Sequence, residues 1–268
     1  NKNRHSLDLQ KRRVKHMTKI IAHRGLSAIA PENTLRSFEP MLDYNLDWFE
    51  TDVSITADGQ LVLLHDDKVD RTTDHAGEIT AMTYDDVMDA DAGSWFGPEF
   101  ANTQLLTMDD LLAFVDESGM NLNLELKGVT GPNCSALADQ LIAQLVPYLR
   151  TINEEVNLII SSFNPVMLFK MHAAAPELAY AVLYDKGQFL DDWQLVADAC
   201  NARYIHIDKA DATPENITKI QDRGFEVNVY TVNSLDDVTT LSDYGVDGIF
   251  TDVANEIVAP KATAAIAV

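Results

Sequence analysis

Residues 203–251 read RYIHIDKADATPENITKIQDRGFEVNVYTVNSLDDVTTLSDYGVDGIFT. Three short β-type runs, at 203–207, 226–231 and 247–251, alternate here with two amphipathic segments, at 214–223 and 235–244. Thr213 is placed to cap the first segment, with Pro214 at its first helical position and Gly224 as its stop. Strand, helix, strand, helix, strand is the rhythm of a parallel sheet, because parallel neighbours need a long crossover between them. The same rhythm runs back to the start. Strands are predicted at 19–22, 48–54, 121–126, 157–161 and 179–183, and helices at 34–44, 107–118, 135–149, 165–174 and 191–200. Pro31 stands outside the helix at 34–44, with Asn33 or Thr34 as its cap, and Gly119 ends the one at 107–118. Eight strands with helices between them predict an α/β fold, a (β/α)8 TIM barrel, and 268 residues suit one such barrel. An open doubly wound sheet is the runner-up.

One region breaks the alternation. The second strand runs into Thr56-Ala57-Asp58-Gly59 and then a further β-type run at 60–65. Asp-Gly between two such runs signals a two-residue hairpin turn. The second strand is therefore expected to extend past the barrel rim and fold back. The residues at 66–106 are too many for a plain loop and read as a small inserted subdomain, with Trp95, Phe96 and Phe100 as its packing aromatics.

The composition narrows the function. With 20 basic and 42 acidic residues, the formal charge of −22 opposes a general nucleic-acid binder. An anionic substrate would need a local positive centre, for which a metal ion is suited. Residues 1–16 hold six of the basic residues and one acidic residue, and His16-Met17 resembles a cloning junction. They read as an added or disordered arm ahead of a single domain at 17–258, with a tail at 259–268. No long apolar run suggests a membrane span. Cys134 and Cys200, the two cysteines, form no framework, so a reduced, cytoplasmic setting is expected.

The chemistry gathers at strand ends. A two-residue turn at Asp58-Gly59 would place Asp52 opposite His65, with Glu50 two positions earlier on the same face. The first strand ends in His23-Arg24-Gly25, at the catalytic rim of a barrel. The third ends in Asn123-Leu124-Glu125-Leu126-Lys127, whose three polar residues share a face and are expected to look at Glu50 and Asp52 across the mouth. An internal ion pair between Glu125 and Lys127 is the plainer reading of part of it. Glu50, Asp52 and Glu125 offer hard oxygens without thiolate, which suits one divalent ion, Mg²⁺ or Ca²⁺, over zinc. His23 and His65 suit proton transfer near neutral pH, and Arg24 a phosphate. Arg71 reads more simply as an ion pair with Asp66 or Asp70. His5, His16, His75, His172 and His206 stand outside this cluster.

These motifs resemble the glycerophosphodiester phosphodiesterase family, in its short bacterial cytoplasmic form. The matching stretches are Ile21-Ala22-His23-Arg24-Gly25, Ala30-Pro31-Glu32-Asn33-Thr34, Glu50-Thr51-Asp52-Val53, Thr56-Ala57-Asp58-Gly59, His65-Asp66, Arg71-Thr72-Thr73 and Leu124-Glu125-Leu126-Lys127. Asn228-Val229-Tyr230-Thr231-Val232-Asn233 and Asp247-Gly248-Ile249-Phe250-Thr251-Asp252 complete the set. The resemblance implies a barrel with an insertion after the hairpin and a metal held by Glu50, Asp52 and Glu125. It also implies acid–base roles for His23 and His65, and phosphate contacts from Arg24 and Lys127. Phe163 and Tyr230 join the substrate-binding set; the family often has tryptophan at Tyr230, and Leu26-Ser27-Ala28-Ile29 replaces smaller residues.

The expected reaction is metal-dependent hydrolysis of a small-molecule glycerophosphodiester, such as glycerophosphocholine or glycerophosphoethanolamine, to sn-glycerol 3-phosphate and an alcohol. The resemblance makes His65 the acid and His23 the base. Spacing leaves open whether water attacks directly or a glycerol hydroxyl closes a cyclic phosphate first. Two rivals remain: a barrel cleaving lysophospholipids or inositol lipids, and a silent barrel that senses glycerophosphodiesters. The strongly acidic surface opposes the first, and the complete set of site residues opposes the second. Oligomeric state is open.

Overall fold

The computed structural model describes residues 17–262, so the arm at 1–16 and the part of the tail at 263–268 lie outside the described residues. Nine strands form one sheet: β1 (Lys19–His23), β2 (Trp48–Ile55), β3 (Leu61–Leu63), β4 (Asn121–Leu126), β5 (Leu158–Ser162), β6 (Ala179–Tyr184), β7 (Tyr204–Asp208), β8 (Glu226–Tyr230) and β9 (Gly248–Thr251). Leaving β3 aside, each pairs in parallel with the next, and β1 pairs with both β2 and β9. The sheet is closed, which makes it a (β/α)8 barrel and excludes the open arrangement. The strands fall within a residue of their expected bounds at most ends, because their apolar runs are bracketed by helix caps and glycines.

The crossovers carry α1 (Leu35–Phe38), α2 (Tyr84–Met88), α3 (Met108–Ser118), α4 (Cys134–Leu149), α5 (Pro165–Ala174), α6 (Trp193–Ala199), α7 (Pro214–Gln221), α8 (Leu235–Tyr244) and α9 (Ala254–Ile257). Thr107 caps α3 in a reciprocal box with Asp110, and Gly119 ends it at φ +65°. Thr213 caps α7 through Asn216 N–H, as expected. The helix expected at 34–44 stops early. Pro40 turns its second half into a 3₁₀ helix, Glu39–Asp43. Thr34 is the cap residue but donates its hydroxyl to Pro31 O, and Asn33 turns to the barrel mouth instead.

Two apolar layers hold the barrel. Outside, the strands pack on the helices, as in the ring cluster of Phe38, Phe49 and Phe114, whose centroids lie 5.2–5.5 Å apart. Inside, Ile21, Trp48, Ile159, Ala181, Tyr204 and Phe250 fill the lower half. Below them Lys19 Nζ pairs with Glu226 at 3.1 Å and lies over the Trp48 and Tyr204 rings. The base is thus plugged, and the cavity at the C-terminal ends of the strands lies above this layer.

The hairpin departs from its expected register. Val53 pairs with Leu63, Ser54 with Val62 and Ile55 with Leu61, and Thr56 N–H donates to Gln60 O. The loop therefore has three residues, with Gly59 at φ +84° in the left-handed position that such loops require. Asp52 is not opposite His65. The change of one residue would put His65 on the other face of a continued strand. β3 ends at Leu63 instead, and the chain turns His65 back to the mouth.

The residues that follow, 66–106, contain α2 and two 3₁₀ turns, and they add a small apolar cluster of Val69, Ile79, Val87, Ala92 and Leu105 against Val62 and Leu64. Leu63 N–H donates to Leu106 O, which covers the outer edge of β3. Trp95, Phe96 and Phe100 pack edge-on against one another, and none of them lines the barrel cavity.

Candidate active site

The C-terminal ends of the strands surround a cavity of about 380 Å³, lined by His23, Arg24, Glu50, His65, Glu125 and Lys127 among others. Register explains the grouping. His23 pairs with Glu50, Glu50 with Asn123, and Asp52 with Glu125, so β1, β2 and β4 present these side chains as neighbours. β4 lies beside β2 rather than across the mouth, a closer arrangement than the sequence suggested.

One oxygen each from Glu50, Asp52 and Glu125 lies within 4.8 Å of the others, and all three residues are buried. Glu50 accepts from the Arg24 backbone N–H at 3.0 Å. Asp52 accepts from Asn33 Nδ2 at 2.9 Å, stands 3.4 Å from Arg24 Nε and 3.5 Å from Lys127 Nζ, and leaves its Oδ1 without a hydrogen bond. Glu125 accepts from Lys127 Nζ at 2.6 Å, so the expected internal ion pair exists within the cluster.

Burial and crowding split these acids. Burial and the neighbouring Asp52 and Glu125 hold the Glu50 carboxyl well above its usual range. Burial pushes Glu125 up to about 7 against the pull of Lys127, with Asp52 adding repulsion. For Asp52, burial is outweighed by Lys127, Arg24, His65 and the Asn33 amide, and its pKa falls. When all three are ionised, two cations face three anions.

Each histidine is backed by an aspartate. His23 Nδ1 lies 2.7 Å from Asp252, which also accepts from Ser27 and Asn233. Burial would raise Asp252, but the His23, Asn233 and Ser27 hydrogen bonds bring it to about 2. His65 Nδ1 lies 2.6 Å from Asp66. Arg71 grips Asp66 with two nitrogens and Glu32 with two, and Glu32 also accepts from Arg24. Arg71 is thus a brace between the first loop and the insertion. With Nδ1 engaged, Nε2 of each ring is the nitrogen left for the cavity. Burial lowers the His65 pKa against the pull of Asp52, and Lys127 and Arg24 lower it further.

The turn after β1 is held under strain. Arg24 sits at φ +58° and Gly25 at +83°, and a Cβ on Gly25 would stand 2.5 Å from Ser37 Oγ. Arg24 O accepts from Asn33 N–H and Ser37 Oγ–H, which hold the turn in place.

Phe163 and Tyr230 form the far wall, edge to face at 5.7 Å, with Lys127 Nζ 5.9 Å from the Phe163 ring. His206 also lines the cavity, although the sequence placed it outside the cluster. His75 pairs with Asp74 and His172 packs on Tyr180, while His5 and His16 lie outside the described residues. The sequence offered Asn33 as a helix cap, Asp66 as an ion-pair partner of Arg71 and Asp252 only as a member of a motif. Their roles come from contacts 19, 1 and 229 residues away in the chain.

Fold and site together define a barrel enzyme, with three clustered carboxylates, two aspartate-backed imidazoles and two basic side chains around one cavity. The profile of the Glycerophosphoryl diester phosphodiesterase family matches residues 23–256. The chain is 32% identical over 236 residues to a glycerophosphodiester phosphodiesterase of Caldanaerobacter subterraneus subsp. tengcongensis, covering 88% of this chain and 94% of that one. Among solved structures it is similar to an Oleispira antarctica phosphodiesterase in complex with the product sn-glycerol-3-phosphate, at TM-score 0.83 and 31% identity, with 90% and 95% of the two chains covered. A glycerophosphodiester phosphodiesterase from Agrobacterium tumefaciens superposes at TM-score 0.73 and 27% identity, covering 90% and 99%. The chain belongs to the glycerophosphoryl diester phosphodiesterase family, a family of phosphoric diester hydrolases. Among the described residues no helix is long and apolar enough to cross a membrane.

Proposed function

We propose that this protein hydrolyses water-soluble glycerophosphodiesters, such as glycerophosphocholine or glycerophosphoethanolamine, to sn-glycerol 3-phosphate and an alcohol. In this reading a divalent ion is held by Glu50, Asp52 and Glu125, and His23 and His65 move the protons. Glu50, Glu125 and both histidines line one cavity, and Asp52 lies behind it with an oxygen within 4.8 Å of one from each glutamate; this grouping carries the proposal. The product complex of the similar Oleispira antarctica enzyme supports the substrate class.

The residues fit a metal. The donors are all hard oxygens, the buried Asp52 Oδ1 has no hydrogen-bond partner, and Asp52 and Glu125 still repel the Glu50 carboxylate despite Lys127 and Arg24 nearby. Mg²⁺ and Ca²⁺ both suit such a set. The chemistry supplied by a bound ion is polarisation of phosphoryl oxygen and a lowered pKa for an adjacent hydroxyl or water. Arg24 and Lys127 hold the phosphate and balance its charge. Asp252 keeps His23 oriented, so that Nε2 removes the proton from the attacking oxygen. Asp66, clamped by Arg71, does the same for His65, whose Nε2 gives a proton to the departing alkoxide. The phosphate charge beside His65 counters the lowering that burial, Lys127 and Arg24 impose. Phe163 and Tyr230 wall the substrate on the apolar side.

The test is release of sn-glycerol 3-phosphate from glycerophosphocholine in EDTA, then with Mg²⁺ or Ca²⁺ restored. Release that follows the ion is expected. No release with either ion, from folded protein, would overturn the reading and favour a lipid substrate.

A further inference from the structure

Below the ring of charged side chains the cavity ends on three uncharged polar residues, Asn123, Ser161 and His206, each at most 1% exposed. None has a part in the proton transfers. Asn123 and Ser161 stand on the neighbouring strands β4 and β5, and His206 on β7, with β6 between. Asn123 lies two residues before Glu125 on the same face and Ser161 beside Glu125, while His206 lies between Leu183 and Asn228.

Their hydrogen bonds are incomplete. Asn228 Nδ2 donates to His206 Nε2 at 3.0 Å, which leaves the ring proton on Nδ1, and Nδ1 has no partner. Turning over the Asn228 amide would make Nδ1 an acceptor, still without a partner. Asn123 Nδ2 donates to Ser161 Oγ at 2.9 Å, but Asn123 Oδ1 has no partner. Ser161 accepts in that bond, so its own proton remains available to the cavity. A buried polar atom left unmatched costs about 1–3 kcal/mol, so two unmatched atoms from residues lining one cavity point to a partner that is not protein.

We infer that Asn123, Ser161 and His206 form a binding site for an uncharged hydroxyl, and that it takes the terminal hydroxyl of the glycerol end of the phosphodiester. This rests on the proposed activity and adds an orientation to it. A hydroxyl both donates and accepts, which matches a donor and an acceptor on residues lining the same cavity. An anion does not fit, because the floor offers no charge; burial, with Lys19 nearby, brings His206 down to about 3 and keeps it neutral. The phosphate stays above, between Arg24 and Lys127. The glycerol then points inward, and the alcohol that leaves faces the open mouth, where head groups of different size are tolerated.

The experiment compares glycerophosphocholine with its 1-deoxy analogue, which lacks the terminal hydroxyl but keeps the one able to attack phosphorus. Wild-type protein should prefer glycerophosphocholine by about 10–10²-fold in kcat/KM, mainly through KM. Ser161→Ala and His206→Phe should shrink that ratio toward one. Calorimetric binding of sn-glycerol 3-phosphate and its 1-deoxy form gives the same comparison without turnover, with a loss of about tenfold or more expected for the deoxy form. Equal treatment of both compounds by wild type, or an unchanged ratio in folded variants, would overturn the inference. Failure to hydrolyse either diester, with the binding preference intact, would count against the proposed activity alone.

Discussion

Glu50→Gln should make the metal-free protein more stable while weakening its hold on metal. Glu50 is buried, and one of its oxygens lies within 4.8 Å of oxygens from Asp52 and Glu125. At an effective dielectric of about 20, two unit charges at that separation repel by about 3 kcal/mol. Arg24 offsets part of this, and its backbone N–H bond can persist to the glutamine carbonyl oxygen. A net gain of about 1–3 kcal/mol remains for the variant above neutral pH, a rise in Tm of roughly 2–4 °C per kcal/mol for a chain of this size. The sign depends on pH. Glu50 has a raised pKa in the folded state, so its contribution is fully present below about 4.5, its unfolded value, and is lost as pH rises through the folded value. Glutamine does not titrate. In EDTA the two proteins should therefore be alike near pH 4.5, and the variant should pull ahead toward pH 8. Metal at about 100 times its dissociation constant should add about 2.7 kcal/mol to wild type and less to the variant. Thermal and urea unfolding, with and without metal, read all of this. A variant less stable than wild type at pH 8 in EDTA, or a metal response equal to wild type, would refute the reasoning.

The remaining expectations can be tested with the same protein. His23→Ala and His65→Ala should each lower kcat by about 10²–10⁴-fold with folding intact, and near-wild-type turnover in both would remove them from the chemistry. If His65 must be protonated, kcat/KM should fall as pH rises through a value below its ordinary 6.5, and the same limb should lie higher in kcat, where bound phosphate opposes the lowering; coincident limbs would contradict this. Arg71→Lys removes the double grip on Asp66 and Glu32 and should lower kcat more than it raises KM, whereas a pure KM effect would mark Arg71 as a phosphate contact. Gly25→Ala puts a Cβ into Ser37 at φ +83° and should cost about 1–3 kcal/mol, seen as a lower Tm; an unchanged Tm would mean the turn is not constrained as described.

Much of this molecule can be read from local pattern. The strands and most helices follow from apolar runs, caps such as Thr107 and Thr213, and stops such as Gly119, all of which act within a few residues. The shared faces of Glu50 with Asp52, and of Asn123 with Glu125 and Lys127, follow from the alternation of side chains along a strand. Register is another matter. Whether Asp52 meets His65 or Leu64 turns on one residue of hairpin loop, and Asp-Gly fits both loop lengths. That Asp52 stands beside Glu125 depends on β2 and β4 pairing across the inserted segment. The contacts that hold His23 and Asp52, from Asp252 and Asn33, and the turning of His206 into the cavity exist only once the barrel closes. A strand's own sequence says which residues share a face, but closure of the sheet decides which faces meet, because that depends on hydrogen bonds between segments with no local relation to one another.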